Sequence, residues 1–203
     1  MRILLVLFMC LVGCAASTPP LYSGVFNQGP ECVAVWQSNE FPLEIVVDRR
    51  FSPEQQQALQ EAVVTWNSAV GASVFEITRE VNWYDTEVWA RHDGTIYVIL
   101  NDLPAPWLGI CALDWHDCAS HNALIGFDVA SPAWGATLIF EHELGHALGL
   151  AHDFSWRPSI MFPYVLDSGA RIMADDINVV RWEMTHGYQE HPAVSELDAG
   201  AIR

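Results

Sequence analysis

The stretch His142-Glu143-Leu144-Gly145-His146-Ala147-Leu148-Gly149-Leu150-Ala151-His152 reads H-E-x-x-H-x-x-G-x-x-H, and Ser159-Ile160-Met161-Phe162-Pro163-Tyr164 follows shortly after it. Five positions of the pattern are specified, each with a chance frequency of about one in twenty. An accidental match in a chain of 203 residues therefore has a probability on the order of 10⁻⁴ or less.

Chemistry explains the spacing. Residues i and i+4 share one face of an α-helix, so His142 and His146 can turn both imidazoles toward one metal ion. Glu143 lies beside that face, within reach of a metal-bound water as general base. Gly149 is predicted to end the helix in a left-handed conformation, which costs glycine no Cβ clash. The turn then brings His152 back as third ligand. Three neutral imidazoles and an open fourth position describe one catalytic zinc ion, whereas a structural site would be closed. Zinc lowers the pKa of its water to about 7 and polarises a carbonyl. Ser131-Pro132 is read as the N-cap and first-turn proline of this helix. Phe140, Leu144, Ala147 and Leu148 form its apolar side, opposite the two histidines.

With these residues the chain resembles the metzincin metallopeptidases, and among them the matrixins. The resemblance implies that His142, His146 and His152 bind zinc and that Glu143 is the catalytic base. It implies that Met161 forms the methionine turn beneath the metal, and that Phe162, Pro163 and Tyr164 wall the pocket for the first residue after the cut bond. Ala174-Asp175-Asp176-Ile177-Asn178 looks like the start of the matrixin C-terminal helix. Two departures stand out. Asp153 follows the third histidine where matrixins usually carry serine, and the cysteine-switch prosegment is missing. Matrixins also carry a structural zinc and calcium sites, which leaves a second metal open around Asp114, His116, Asp117 and His121, although the spacing there does not match.

Residues 1–13 read as a signal peptide. Arg2 precedes an apolar run from Ile3 to Val12, too short to span a bilayer. Leu11-Val12-Gly13-Cys14 resembles the lipobox of bacterial lipoproteins, which implies cleavage before Cys14 and a lipid anchor on it. The expected location is the cell envelope, at the outer membrane because no aspartate follows Cys14. The alternative is an ordinary signal cut after Ala16 and a secreted, soluble protein.

About half of the chain is apolar, enough for one sizeable core, and the net charge is −16. All nine Lys and Arg positions are arginine, with no basic patch, which argues against nucleic-acid binding. Cys111 and Cys118 are candidates for a short-loop disulfide in an exported protein. Cys32 is left over, and its surroundings do not match the switch motif.

Residues 14–40, rich in Ser, Pro, Gly, Asn and Gln, read as a tether. Leu43–Asp48 reads as a first strand. Phe51-Ser52-Pro53-Glu54-Gln55 opens a helix with staple, cap, first-turn proline and capping-box glutamine. Leu59, Ala62, Val63, Trp66, Ala69 and Val70 form its stripe, and Gly71 stops it. Phe75–Thr78, Thr95–Leu100 and Leu124–Val129 are further strands. The expected fold is α+β: a metzincin, zincin-like catalytic domain over 41–187, with a mixed twisted sheet, an active-site helix and a C-terminal helix, followed by a tail over 188–203.

The expected activity is a monomeric zinc endopeptidase acting on extended polypeptides laid along an edge strand, for which Leu124–Val129 is the candidate. The alternatives are a catalytically silent peptide-binding protein on the same fold, and a small-substrate zinc hydrolase with a closed pocket.

Overall fold

The computed structural model describes residues 36–82, 94–116, 119–131, 135–154, 158–163 and 169–186. Cys14, Cys32, Cys118, Pro132 and Tyr164 lie outside them. The architecture is a five-stranded sheet with helices packed on one face. In chain order the elements are β1 (Leu43–Asp48), α1 (Pro53–Val70), β2 (Phe75–Val81), β3 (Thr95–Asn101), β4 (Gly109–His116), β5 (Ala119–Asp128), α2 (Ala136–Ala147) and α3 (Ala174–His186). The sheet order is β2-β1-β3-β5-β4, with β4 alone antiparallel to its neighbour.

The inner parallel strands β1 and β3 are almost wholly buried. Ile45, Val47, Ile96, Val98, Ala123, Ile125 and Phe127 give one sheet face to the core. Against it pack Leu59, Ala62, Val63 and Trp66 of α1 and Ile139, Phe140 and Leu144 of α2. Phe127 stacks on Phe140 with centroids 4.5 Å apart, and Phe51 meets both rings edge-on at 5.9 Å. Each such aromatic buries enough surface to stabilise the fold by roughly 1.5–3 kcal/mol.

α1 begins and ends as its sequence dictates. Ser52 Oγ accepts the Gln55 N–H at 3.2 Å, and Gln55 Oε1 accepts the Ser52 N–H at 2.9 Å. Gly71 sits at φ +75° and closes the helix on the Asn67 carbonyl. Arg181 of α3 then donates through Nε and Nη2 to the Val70 carbonyl at 2.9 and 2.8 Å, a cation at the negative end of a helix.

Four expectations need correction. The tether reading ran to residue 40, but Trp36 is fully buried and donates to the Ala147 carbonyl at 2.7 Å, so the packed part reaches back to Trp36. Ser131 is not the cap of α2. That helix starts at Ala136 after Gly135, and the Ser131 hydroxyl instead donates to the Leu108 carbonyl at 2.9 Å. Leu124–Asp128 belongs to β5, which is an inner strand paired on both sides; the edges of the sheet are β2 and β4. Finally, Cys111 is a free thiol within β4. A strand advances about 3.3 Å per residue, so the five steps from Cys111 to His116 carry the chain some 16 Å away. A disulfide needs Cα atoms within about 7 Å.

Glu183 on α3 is fully buried, and among the described residues nothing hydrogen-bonds to either of its carboxyl oxygens. Burial pushes its pKa well above the usual carboxylate range. The folded state therefore binds a proton that the unfolded state releases. This contribution to stability is complete below the unfolded pKa and is lost as pH rises toward the folded one. Denaturant unfolding should show wild type losing about 1.4 kcal/mol per pH unit relative to Glu183→Gln across that window. A difference between the two proteins that stays constant from pH 5 to pH 8 would contradict this.

Candidate metal centre

α2 presents His142 and His146 one turn apart, with their rings 4.6 Å apart, while Phe140, Leu144 and Ala147 of the same helix join the core. The helix ends in a Schellman turn. Gly149 lies at φ +81°, its N–H donates to the His146 carbonyl at 2.9 Å, and Leu150 N–H donates to the Gly145 carbonyl at 3.1 Å. An L side chain is strained at that φ, so glycine is what lets the chain double back. The reversal delivers His152, whose ring stands 4.7 Å from that of His146 and 5.2 Å from that of His142.

The three Nε2 atoms converge, at 3.0 Å (His142 to His146), 3.1 Å (His146 to His152) and 3.3 Å (His142 to His152). Backbone carbonyls decide which ring nitrogen carries the proton. His142 Nδ1 lies 2.6 Å from the Ile160 carbonyl, and His146 Nδ1 lies 2.7 Å from that of Leu150. A carbonyl only accepts, so each Nδ1 is the protonated donor and each Nε2 keeps its lone pair. Burial lowers the pKa of His142 to about 4, and burial together with its two neighbours holds His146 well below the ordinary imidazole value. Burial lowers that of His152 as well. All three rings are therefore neutral at neutral pH.

The donor set fits zinc. A tetrahedral ion with Zn–N bonds of 2.0–2.1 Å holds its nitrogens about 3.3 Å apart, close to the spacing found. Among the described residues these three histidines form the one group able to hold a metal ion.

The loop beneath the histidines is cross-tied. Met161 N–H donates to Ser159 Oγ at 3.1 Å, Asp153 N–H to the Met161 carbonyl at 2.9 Å, and Ile160 N–H to the Arg171 carbonyl at 2.8 Å. The buried Met161 sulfur lies against Gly145, on the face where any side chain would collide with it. Asp153, which departs from the matrixin serine, is buried and holds this turn through its backbone. Phe162 and Pro163 follow, half-buried. Phe154, 60% exposed, meets the His152 ring edge-on at 5.9 Å.

Glu143 is buried on α2 between the first two histidines, and burial raises its carboxyl pKa to about 8. A dication beside it favours the ionised form and brings that value down. β4 lies against it. The sequence reading missed Gly109, Ser159 and the Trp66 indole, which donates to the Glu141 carbonyl at 2.9 Å, one residue before the first histidine. Gly109 and Trp66 carry no spacing signal, because their partners Glu143 and Glu141 lie far away in sequence. Ser159 bonds to Met161 only two residues on, a local turn contact that no metal-site motif specifies. The side chains of His116, Asp117 and His121, where a second metal was left open, are outside the described residues.

The matrixin family model matches residues 76–183, just over half of the chain. No curated protein matches the chain. Among solved structures, high choriolytic enzyme 1, a hatching enzyme zinc-protease of the medaka fish Oryzias latipes, aligns at 15% identity with a TM-score of 0.36. The alignment covers 59% of this chain and 50% of that one, so the chain matches about half the length of that enzyme.

Replacing His152 with alanine removes one of three nitrogen donors while leaving α2 unchanged. Zinc affinity, measured by competition with a chromogenic chelator, should fall by about 10²-fold or more, since second-shell losses alone cost 10–100-fold. Unchanged affinity would mean that a different residue supplies the third donor.

Proposed function

The chain belongs to the matrixin family of metallopeptidases, and from that premise we propose that it is a zinc endopeptidase that cuts extended polypeptides internally, with Glu143 as general base. The observation that carries this reading is the convergence of three neutral imidazoles, the tautomers of His142 and His146 fixed, beside a buried carboxylate. His142, His146 and His152 would hold the zinc, and the ion when bound supplies a Lewis acid that polarises the scissile carbonyl and lowers the pKa of water. The Ile160 and Leu150 carbonyls keep the two helix-borne rings aimed. Glu143 takes the proton of the attacking water and returns it to the leaving amine, a role that suits a carboxylate near neutral pKa. The Met161 turn supports the ligand set from below, and Phe162, Pro163 and Tyr164 would wall the pocket for the residue after the cut bond.

The substrate assignment draws support from β4. Among the described strands it pairs with β5 alone, and its other side is where a polypeptide would add as a further strand. Affinity would then come from main-chain pairing and selection from the wall, so that unfolded proteins are cut internally and dipeptides hardly at all. Glu143→Gln should abolish hydrolysis of a denatured protein substrate, with kcat down by at least about 10²-fold, while zinc stoichiometry stays at that of wild type. Comparable turnover by the zinc-loaded variant would remove Glu143 from the mechanism.

The envelope location is part of the same proposal, with residues 1–13 as the signal, Cys14 as the lipidated residue, and a monomeric catalytic domain beyond the tether. It rests on Leu11-Val12-Gly13-Cys14 closing a short apolar run. Cys14→Ser should leave the membrane fraction or accumulate as precursor without lipid. A native protein whose mass begins at an unmodified Ser17 would make it secreted and soluble instead.

A further inference from the structure

The geometry points to Gly109 as a positioning residue for Glu143, an inference that rests on the proposed role of that carboxylate. Gly109 opens β4 with ordinary strand backbone; it is not among the glycines of positive φ. Its lack of a side chain is therefore required by space and not by conformation. A Cβ at this position would stand 2.6 Å from Glu143 Oε1, 2.9 Å from Glu143 Cγ and 2.9 Å from Ile139 Cγ2. All three are closer than non-bonded carbon and oxygen atoms approach.

Something would have to move, and the bonding around the gap decides what. The strand is tied on its far side. Gly109 is in register with Phe127, Asp128 N–H donates to the Leu108 carbonyl at 3.0 Å, and the Ser131 hydroxyl donates to the same carbonyl at 2.9 Å. The helix is tied as well. Phe140 of α2 stacks on that same Phe127 at 4.5 Å, and the Trp66 indole holds the Glu141 carbonyl. Strand and helix are thus clamped across the gap through a shared aromatic pair. The part left free to give way is the Glu143 side chain, with its flexible carboxyl end. Bare backbone at Gly109 sets where that carboxylate stands and closes one side of it from water.

Gly109→Ala should therefore fold and bind zinc yet hold Glu143 out of place. A displacement of the order of 1 Å at a reacting group costs about 10²-fold. The expected result is a kcat lowered by roughly that factor, with KM and competitive zinc affinity within about twofold of wild type. The double variant Gly109→Ala/Ile139→Ala removes the Ile139 contact but not the Glu143 contact, and should not restore kcat. Crystal structures of the zinc-loaded wild type and Gly109→Ala should show the three imidazoles superimposed and the Glu143 carboxylate moved. Wild-type kcat in the single variant, recovery in the double variant, or an unmoved carboxylate would each overturn the inference. If wild type and Glu143→Gln instead hydrolyse peptides equally, it is the role of Glu143 that fails, and the crystallographic comparison still decides whether Gly109 positions it.

Discussion

Three nitrogen lone pairs aimed at one point within 3.3 Å of each other repel, and only a cation or a shared proton relieves that repulsion. Much of the structure around α2 serves to aim these nitrogens at one point. Burial disfavours protonation, so the site does not escape by becoming imidazolium. The Ile160 and Leu150 carbonyls occupy the Nδ1 positions and prevent the rings from presenting the wrong tautomer. The unfolded chain has no such site, so the energy of metal binding becomes stability of the folded state.

Holding the rings requires holding α2, and the helix is fixed at three heights. Trp66 grips its middle through the Glu141 carbonyl, Trp36 grips its end through the Ala147 carbonyl, and Phe140 stacks on the sheet. The two indole donors come from α1 and from the segment before β1, so the helix is fastened to parts of the chain far from it in sequence. A buried indole N–H without an acceptor would cost roughly 1–3 kcal/mol. Sliding the helix by one residue would break both bonds at once, which locks its register. The apolar interior thus specifies the positions of polar groups on the opposite face.

What was legible in the sequence follows the range of the interactions. The capping box at Ser52, the stop at Gly71, the reversal at Gly149 and the start of α3 at Ala174 are all decided within a few residues, and each stands where its local pattern put it. The histidine triad was legible for the same reason, because helix pitch and one turn place all three rings. β4 was missed. Its Gly-Ile-Cys-Ala-Leu-Asp-Trp-His run mixes apolar and polar residues as a half-exposed edge does, and two cysteines suggested a closed loop. Ser131 was misread because a serine before a proline is a cap by local rules, while a tertiary acceptor, the Leu108 carbonyl, took its hydroxyl. The inner position of β5 was invisible as well, since strand order depends on pairings that alternation alone does not encode.

The edge strand carries two demands that conflict in its sequence. As the last strand of the sheet, β4 would be most stable with β-branched residues along its length. As the wall against Glu143 it has to start with a residue poorly suited to a strand, because backbone must approach the carboxylate more closely than any side chain permits. The cost of glycine in a strand, roughly 0.5–1 kcal/mol relative to alanine, is offset by the antiparallel pairing with β5 and by the two donors on the Leu108 carbonyl. The arrangement has a geometric consequence for the proposed reaction. A polypeptide paired along the outside of β4 is indexed to the same backbone that fixes Glu143. Its carbonyls and the carboxylate then share one rigid reference, and no side chain of the substrate is needed to set their separation.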